Sequence, residues 1–238
     1  MKKRLFAVCF AALFVLSLSL AAGAKTIVSG GVYYTDFESA EDFKEWHHFK
    51  DDGKGNPTTG QDFEVKDGVL VPKRPGLIIG AAYPNKTYTN VLIETKIDKM
   101  ARLEFRCDNA SPWSDKRFYI EIDFGGAIIL RNQADEEISS TLVQGLVSRE
   151  HSDVKVRVYG NTVEVYLNEQ KVPSFVYTGE ALTVREGYCA VMLVWQNPSF
   201  EYFKLTELDE NGLYNGKHPI TGKAASTSSK STAASSSV

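Results

Sequence analysis

The sequence predicts an all-β protein, a β-sandwich of two antiparallel sheets. Two observations predict it. From Val91 to Leu208, apolar and polar residues alternate with period two, and no convincing amphipathic helix intervenes. The alternating stretches are short and divided by turns carrying Gly, Asn, Asp and Pro, residues suited to turn backbone. Many short strands so punctuated form two sheets that press their apolar sides into one core.

Taken in chain order, the first element is an address. Lys2-Lys3-Arg4 precedes an apolar run from Leu5 to Ala22, and Ala22-Gly23-Ala24 is a small-x-small cleavage signal. Residues 1–24 are read as a secretory signal peptide, a membrane anchor being the alternative reading of the same run. Cleavage places the protein in a secreted, extracytoplasmic compartment and removes Lys2, Lys3 and Arg4, taking the net charge from −3 to about −6. Such acidity disfavours nucleic acid as a partner. No second apolar run reaches membrane-spanning length, so no membrane span is expected in the mature chain.

The remainder reads as one domain over 25–220. "SAEDFKEW" (39–46) suggests a helical turn with one side in water, and Trp46 is expected to anchor this opening segment. In "HHFKDDGKGN", His47 and His48 on an extended chain point opposite ways, so no transition-metal site is expected there with Asp51 and Asp52.

Strands are expected at 91–97, 102–108, 118–124, 127–132, 189–196 and 201–208. The clearest hairpin is "DVKVRVYGNTVEVYLNEQKV". Val154, Val156 and Val158 face one way, Gly160-Asn161 turns the chain, and Val163, Val165 and Leu167 return on the same face. From Thr221 to Val238 the only side chain larger than Ala and apolar is the last, so 221–238 is read as a disordered Ser-rich tail or linker. Cys107 and Cys189 follow the leader into an oxidising compartment and are candidates for a disulfide, with a reduced buried pair as the alternative.

Several stretches in sequence resemble the concanavalin A-like lectin/glucanase superfamily, in its laminin-G-like and carbohydrate-binding-module-like forms. They are the opening "YYTDFESAEDFKEW", then "ARLEFRCDNASPWSDKRFYIEIDFGGAIILRN", the hairpin above, and the closing "EGYCAVMLVWQNPSFEYFKLTEL". Together they cover nearly all of residues 31 to 209. The resemblance implies a two-sheet antiparallel jelly roll with a curved polar sheet, a fold shared by lectins, glycan-binding modules, glycosidases and adhesive domains. It also implies a structural calcium near the opening and closing strands, for which Glu38 and Asp209 are the candidate ligands.

"FYIEIDFGGAIIL" carries the question of catalysis. Laminarinases, lichenases and agarases of this superfamily hold their carboxylates on one strand as Glu-x-Asp-x-Glu or Glu-x-Asp-x-x-Glu. By resemblance Glu121 matches the nucleophile and Asp123 its helper. A retaining glycosidase also needs a second carboxyl about 5–5.5 Å from the first as acid/base, and the matching positions hold Gly125 and Gly126. Keto-disaccharide hydrolase-like proteins resemble the same strand order, but their Asn-Ser-Gly turn is absent from the sequence.

The residues therefore favour binding over catalysis. Glycan sites combine aromatic stacking with hydrogen bonds from charged side chains, and Arg106, Trp113, Tyr119, Glu121, Asp123, Arg131 and Trp195 are the candidate ligand-contacting residues. Arg102, Glu104 and Arg106 are expected to alternate outward opposite Glu121, making a cross-strand charge ladder. The expected function is a secreted, non-catalytic carbohydrate-binding domain with a polysaccharide or glycan as partner. The alternatives are a glycoside hydrolase using Glu121 and Asp123, and a structural or adhesive protein with extracellular protein partners.

Overall fold

The computed structural model describes residues 26–51, 57–59, 62–73, 80–107, 117–123, 125–143, 151–193 and 198–224. The expected signal peptide, Trp113, Phe124, Trp195 and the tail after Ala224 lie outside these residues.

The described chain opens as a hairpin of β1 (Ile27–Ser29) and β2 (Val32–Thr35), turned by Gly30 and Gly31 at φ of 59° and 78°. A 3-10 turn follows at Ala40–Phe43, within the segment expected to be helical. The Ser39 hydroxyl caps it by accepting the Glu41 N–H at 3.0 Å. Next come six short strands: β3 (His47–Asp51), β4 (Pro57–Thr59), β5 (Phe63–Lys66), β6 (Val69–Pro72), β7 (Gly80–Tyr83) and β8 (Thr87–Tyr88). At two to five residues each, they are too short for alternation to reveal.

The longer strands fall where the pattern places them: β9 (Val91–Ile97), β10 (Ala101–Cys107), β11 (Phe118–Asp123) and β12 (Ala127–Asn132). After β13 (Glu137–Leu142), the expected hairpin forms from β14 (Ser152–Tyr159) and β15 (Thr162–Leu167). The chain then runs through β16 (Phe175–Thr178), β17 (Gly187–Leu193) and β18 (Phe200–Glu207).

Among the described residues these strands make two antiparallel sheets. The first has the order β1-β2-β18-β9-β14-β15-β16, with β6 also on β18 and β5 on β6. The second runs β13-β12-β11-β10-β17-β7-β3-β4, with β8 also on β17. The first and last long strands of the chain, β9 and β18, lie side by side, as a jelly roll requires.

Side-chain parity builds the core. Val154, Val156, Val158, Val163, Val165 and Leu167 are fully buried on one face of the hairpin. Leu103, Phe105, Ile120, Ile122, Ile128 and Leu130 face them from the second sheet. Each such side chain contributes roughly 1.5–3 kcal/mol by leaving water. Trp46 anchors the opening segment as expected, donating from Nε1 to the Tyr33 hydroxyl at 2.5 Å and packing against Phe37, Phe43 and Phe203.

One irregularity reorganises the end of β10. Glu104 pairs with Ala190 but Cys107 with Tyr188, so two residues of β10 oppose the single residue Cys189. This is a β-bulge, and Arg106 takes the left-handed conformation at φ 55°. The bulge requires Gly187 opposite it, because a Cβ there would lie 2.3 Å from the Cys107 carbonyl oxygen.

The bulge corrects two expectations. Arg106 does not join the outward ladder. It is buried and donates to the carbonyls of Thr89, Val184 and Gly160 at 2.9–3.3 Å, tying three loops together at one end of the sandwich. Cys107 and Cys189 are free thiols and form no disulfide. Cys189 faces the core beside Val191, whereas Cys107 follows the parity of its partner Tyr188 onto the outer face, its thiol 3.8 Å from Glu104. Sulfurs on opposite faces of one sheet cannot bond.

The last described segment folds back on the first sheet. Arg157 donates to the carbonyls of Gly212 and Asn211 while paired with Glu164 at 2.7 Å, and Lys217 bridges to Ala224. The tail boundary expected at 221 therefore falls inside a folded turn.

Candidate functional site

The site builds from the outer face of the second sheet. Parity places Arg117, Tyr119 and Glu121 of the β11 strand and its approach on this face. Register sets Glu121 opposite Arg102 and Tyr119 opposite Glu104 on β10, with Arg131 of β12 on the other side of Tyr119. The expected charge ladder exists without Arg106. Arg102 Nε donates to Glu121 Oε2 at 2.7 Å, and Arg117 Nη1 donates to Glu104 Oε1 at 3.0 Å.

Asp135 closes the network from the turn between β12 and β13. Its Oδ1 accepts the Tyr119 hydroxyl at 2.6 Å and Arg117 Nη2 at 3.4 Å, and lies 3.8 Å from Arg102. The Arg102 guanidinium also stands 4.6 Å from the Tyr119 ring centroid. Buried among these groups, Glu104 has its carboxyl pushed up to about 7 by desolvation, against the opposing pull of Arg117. Desolvation likewise raises the Tyr119 hydroxyl and, with the Glu104 charge, the Cys107 thiol.

An aromatic row continues across the sheet. The rings of His47 and Phe49 stack on Tyr83 at 5.1 and 6.1 Å, and Tyr188 leans against Tyr83 at 5.0 Å. Ala81, Ala190 and Met192 lie between this row and the charged cluster, on the same face. His48 points the other way, as alternation demands, with Nε2 3.2 Å from the Phe43 carbonyl.

The face holds polar atoms with no hydrogen-bond partner. Among the described residues, Tyr83 Oη, Arg117 Nε and Arg131 Nε are buried and unsatisfied. Each lost partner costs roughly 1–3 kcal/mol, so unsatisfied groups of this kind mark places where a ligand or water completes the bonding. The face reaches solvent at its two margins, through Arg131 and Asp135 on one side and His47 on the other.

For catalysis the arrangement is unfavourable. Glu121 is held in its pair with Arg102, and Asp123 is a turn residue whose Oδ1 accepts the Gly125 N–H at 2.9 Å. Gly125 and Gly126 form the expected turn, Gly126 at φ 101° with its N–H on the Asp123 carbonyl. A Cβ on Gly126 would lie 3.2 Å from the Val143 carbonyl oxygen, so the turn resists the side chain an acid/base would need.

The structure thus brings together Tyr119, Glu121 and Arg131, leaves Asp123 at the rim, and removes Arg106. Trp113 and Trp195 lie outside the described residues. Arg117, Asp135, Tyr83 and Tyr188 went unnoticed in the sequence, and His47 was weighed there only as a metal ligand. Arg117 shares the parity of Tyr119 and Glu121, and Tyr188 that of Met192, so alternation could have found both. Nothing local marks Asp135, which arrives by a turn.

The calcium ligands expected from the resemblance do not fit one ion. Asp209 lies beyond the Thr206 end of the β2–β18 pair, where Glu207 N–H bonds to Gly31, and Glu38 lies beyond the opposite, Thr35–Phe203 end. Those ends span four residues, about 10 Å at strand rise, and Glu38 and Asp209 each lie three residues further out in opposite directions. Asp209 uses Oδ1 to cap the N–H groups of Asn211 and Leu213. Among the described residues no three His, Cys, Asp or Glu side chains gather as a metal site, and no helix is long and apolar enough to cross a membrane.

Neither a family model nor a curated protein matches the chain. Solved structures do match. A Bacillus subtilis protein of unknown function with a galectin-like fold aligns with a TM-score of 0.56 at 10% identity, covering 78% of this chain and 98% of that one. A Bacillus licheniformis beta-glucanase aligns at 0.52 and 11% identity, covering 76% and 100%. The exoplasmic/lumenal domain of VIP36, in a Ca2+/Man3GlcNAc-bound form, aligns at 0.50 and 10%, covering 76% and 91%. The fold is the concanavalin A-like jelly roll.

Proposed function

We propose that the protein is a secreted, non-catalytic carbohydrate-binding jelly roll whose ligand lies on the outer face of the second sheet. One observation carries the reading: that face gathers charged and aromatic side chains and reaches solvent through Arg131, Asp135 and His47, with Tyr83 Oη and Arg117 Nε buried behind them without hydrogen bonds and Arg131 Nε only 4.0 Å from Glu121 Oε2. Sugar hydroxyls both accept and donate, and the His47, Tyr83 and Tyr188 rings supply the apolar contact a pyranose needs. The fold is compatible, since similar structures include a beta-glucanase and a Man3GlcNAc-bound domain.

The non-catalytic half of the reading rests on the Arg102–Glu121 pair and on glycine at both acid/base positions. Secretion rests on the leader, and a role for calcium has no ligand set in Glu38 and Asp209. Glycan-array and polysaccharide pull-down binding test the proposal. Retention on at least one polysaccharide, weakened at least tenfold by Arg131→Ala, is expected, with no release of reducing sugar. Sugar release abolished by Glu121→Gln would establish a hydrolase instead, and retention of protein ligands only would establish an adhesive role.

A further inference from the structure

A cavity lies at the margin of the sandwich, away from the polar sheet. Its volume is ≈ 600 Å³, within the roughly 300–1,000 Å³ of small-molecule sites. The edge hairpin β1–β2, the 3-10 turn and the β7–β8 connection enclose it. Three of its lining residues are buried, Tyr33, Trp46 and Pro84, and make an apolar floor. Exposed Glu41, Glu45, Asn85 and Lys86 make a polar rim, and Val28, 70% exposed on the edge strand, adds an apolar wall.

The floor is preformed. Trp46 and Tyr33 satisfy each other through the Nε1–hydroxyl bond, and Phe37, Phe43 and Phe203 pack behind the indole. A ligand would pay little to order it. The rim selects by charge. Glu41 is paired with Lys44 at 2.5 Å and Lys86 with Glu207 at 3.0 Å, so two of the three charged rim groups already have counterions. A cation at Glu41 or an anion at Lys86 would have to compete with those partners, whereas a neutral polyol needs only hydrogen-bonding atoms, the Glu45 carboxylate among them.

We propose that this cavity is a carbohydrate subsite taking one neutral pyranose ring, with its apolar face toward Trp46, Tyr33 and Pro84 and its hydroxyls toward Glu45, Asn85 and Lys86. The subsite shares its ligand class with the function proposed above but none of its residues. A glycan seated here would be gripped at the sandwich margin whether or not the sheet face is occupied.

Titration of the full chain with methyl glycosides of glucose, mannose, galactose and N-acetylglucosamine, read by calorimetry and tryptophan fluorescence, tests the assignment. At least one glycoside is expected to bind. Glu45→Ala and Asn85→Ala, both on exposed rim residues, should weaken it at least tenfold, and Val28→Trp should abolish it by filling the mouth, all with unchanged melting temperature. Arg131→Ala should leave it untouched. The proposal is overturned if no glycoside binds, if binding survives all three rim variants, or if tetramethylammonium binds as tightly as any glycoside. Binding lost in Arg131→Ala but kept in the rim variants would overturn the subsite while sustaining the sheet-face function.

Discussion

Arg102 and Glu121 stand directly opposite each other on adjacent antiparallel strands, Nε 2.7 Å from Oε2, with side chains 13% and 10% exposed. A pair so sheltered stabilises chiefly because breaking it strands a charge. Glu121→Gln leaves Arg102 with a 3.8 Å contact to Asp135 and the Tyr119 ring. We expect a loss of about 3 kcal/mol by urea unfolding, and less than that in the double variant Arg102→Met/Glu121→Leu, which leaves neither charge behind.

Glu104 predicts a pH dependence of opposite sign to the usual carboxylate. Its folded-state value is raised to about 7 from 4.5, with burial the dominant cause and Arg117 opposing it. The folded state therefore holds a proton more firmly than the unfolded one. The stability this contributes is fully present below pH 4.5 and is lost as pH rises through about 7. Unfolding free energy measured across that interval should fall with pH more gently in Glu104→Gln than in the parent.

The thiols predict a simple chemical result. Cys107 and Cys189 are both buried and both raised, Cys189 to about 12, by desolvation. Thiolate is the reactive form, so neither should react with Ellman's reagent in the native protein, and both should react in guanidinium. Dithiothreitol should leave the melting temperature unchanged; a drop of several degrees would reveal a disulfide.

Gly125 and Gly126, which stand where the resemblance would put an acid/base, predict that replacing them confers no glycosidase activity. Gly126→Glu puts a side chain at φ 101° against the Val143 carbonyl. A cost of about 1–3 kcal/mol in stability is expected, with no release of reducing sugar from laminarin or lichenan.

Gly187→Ala should be the most damaging of the single-atom additions. The new Cβ would run into the Arg106–Cys107 backbone, 2.3 Å from the Cys107 oxygen and 2.4 Å from the Arg106 carbonyl carbon. Loss of the bulge would release Arg106 from its three carbonyls, so we expect a protein that fails to fold or unfolds with a markedly lower midpoint in circular dichroism.

Much of this was legible in alternation. Strands β9 to β12, the β14–β15 hairpin and the core parity of its valines follow from a period of two, because a strand with one apolar and one polar face must alternate. Tyr119 and Glu121 followed for the same reason. The reading went wrong where the period broke. One extra residue in β10 turned Arg106 inward and sent Cys107 to the face opposite Cys189, and the sequence carries no mark of that bulge except Gly187, eighty residues away.

By itself the sequence determined that the chain is a two-sheet β-sandwich and that glycines, not carboxylates, follow the Glu121–Asp123 strand, because both are local: one is periodicity, the other the identity of two adjacent residues. Tertiary structure alone decided which polar groups partner one another. Arg117 with Glu104, Asp135 with Tyr119, and Trp46 with Tyr33 are pairings between segments 13 to 16 residues apart. Their existence depends on sheet register and turn geometry, which set side chains within 3 Å of one another and which no local pattern encodes.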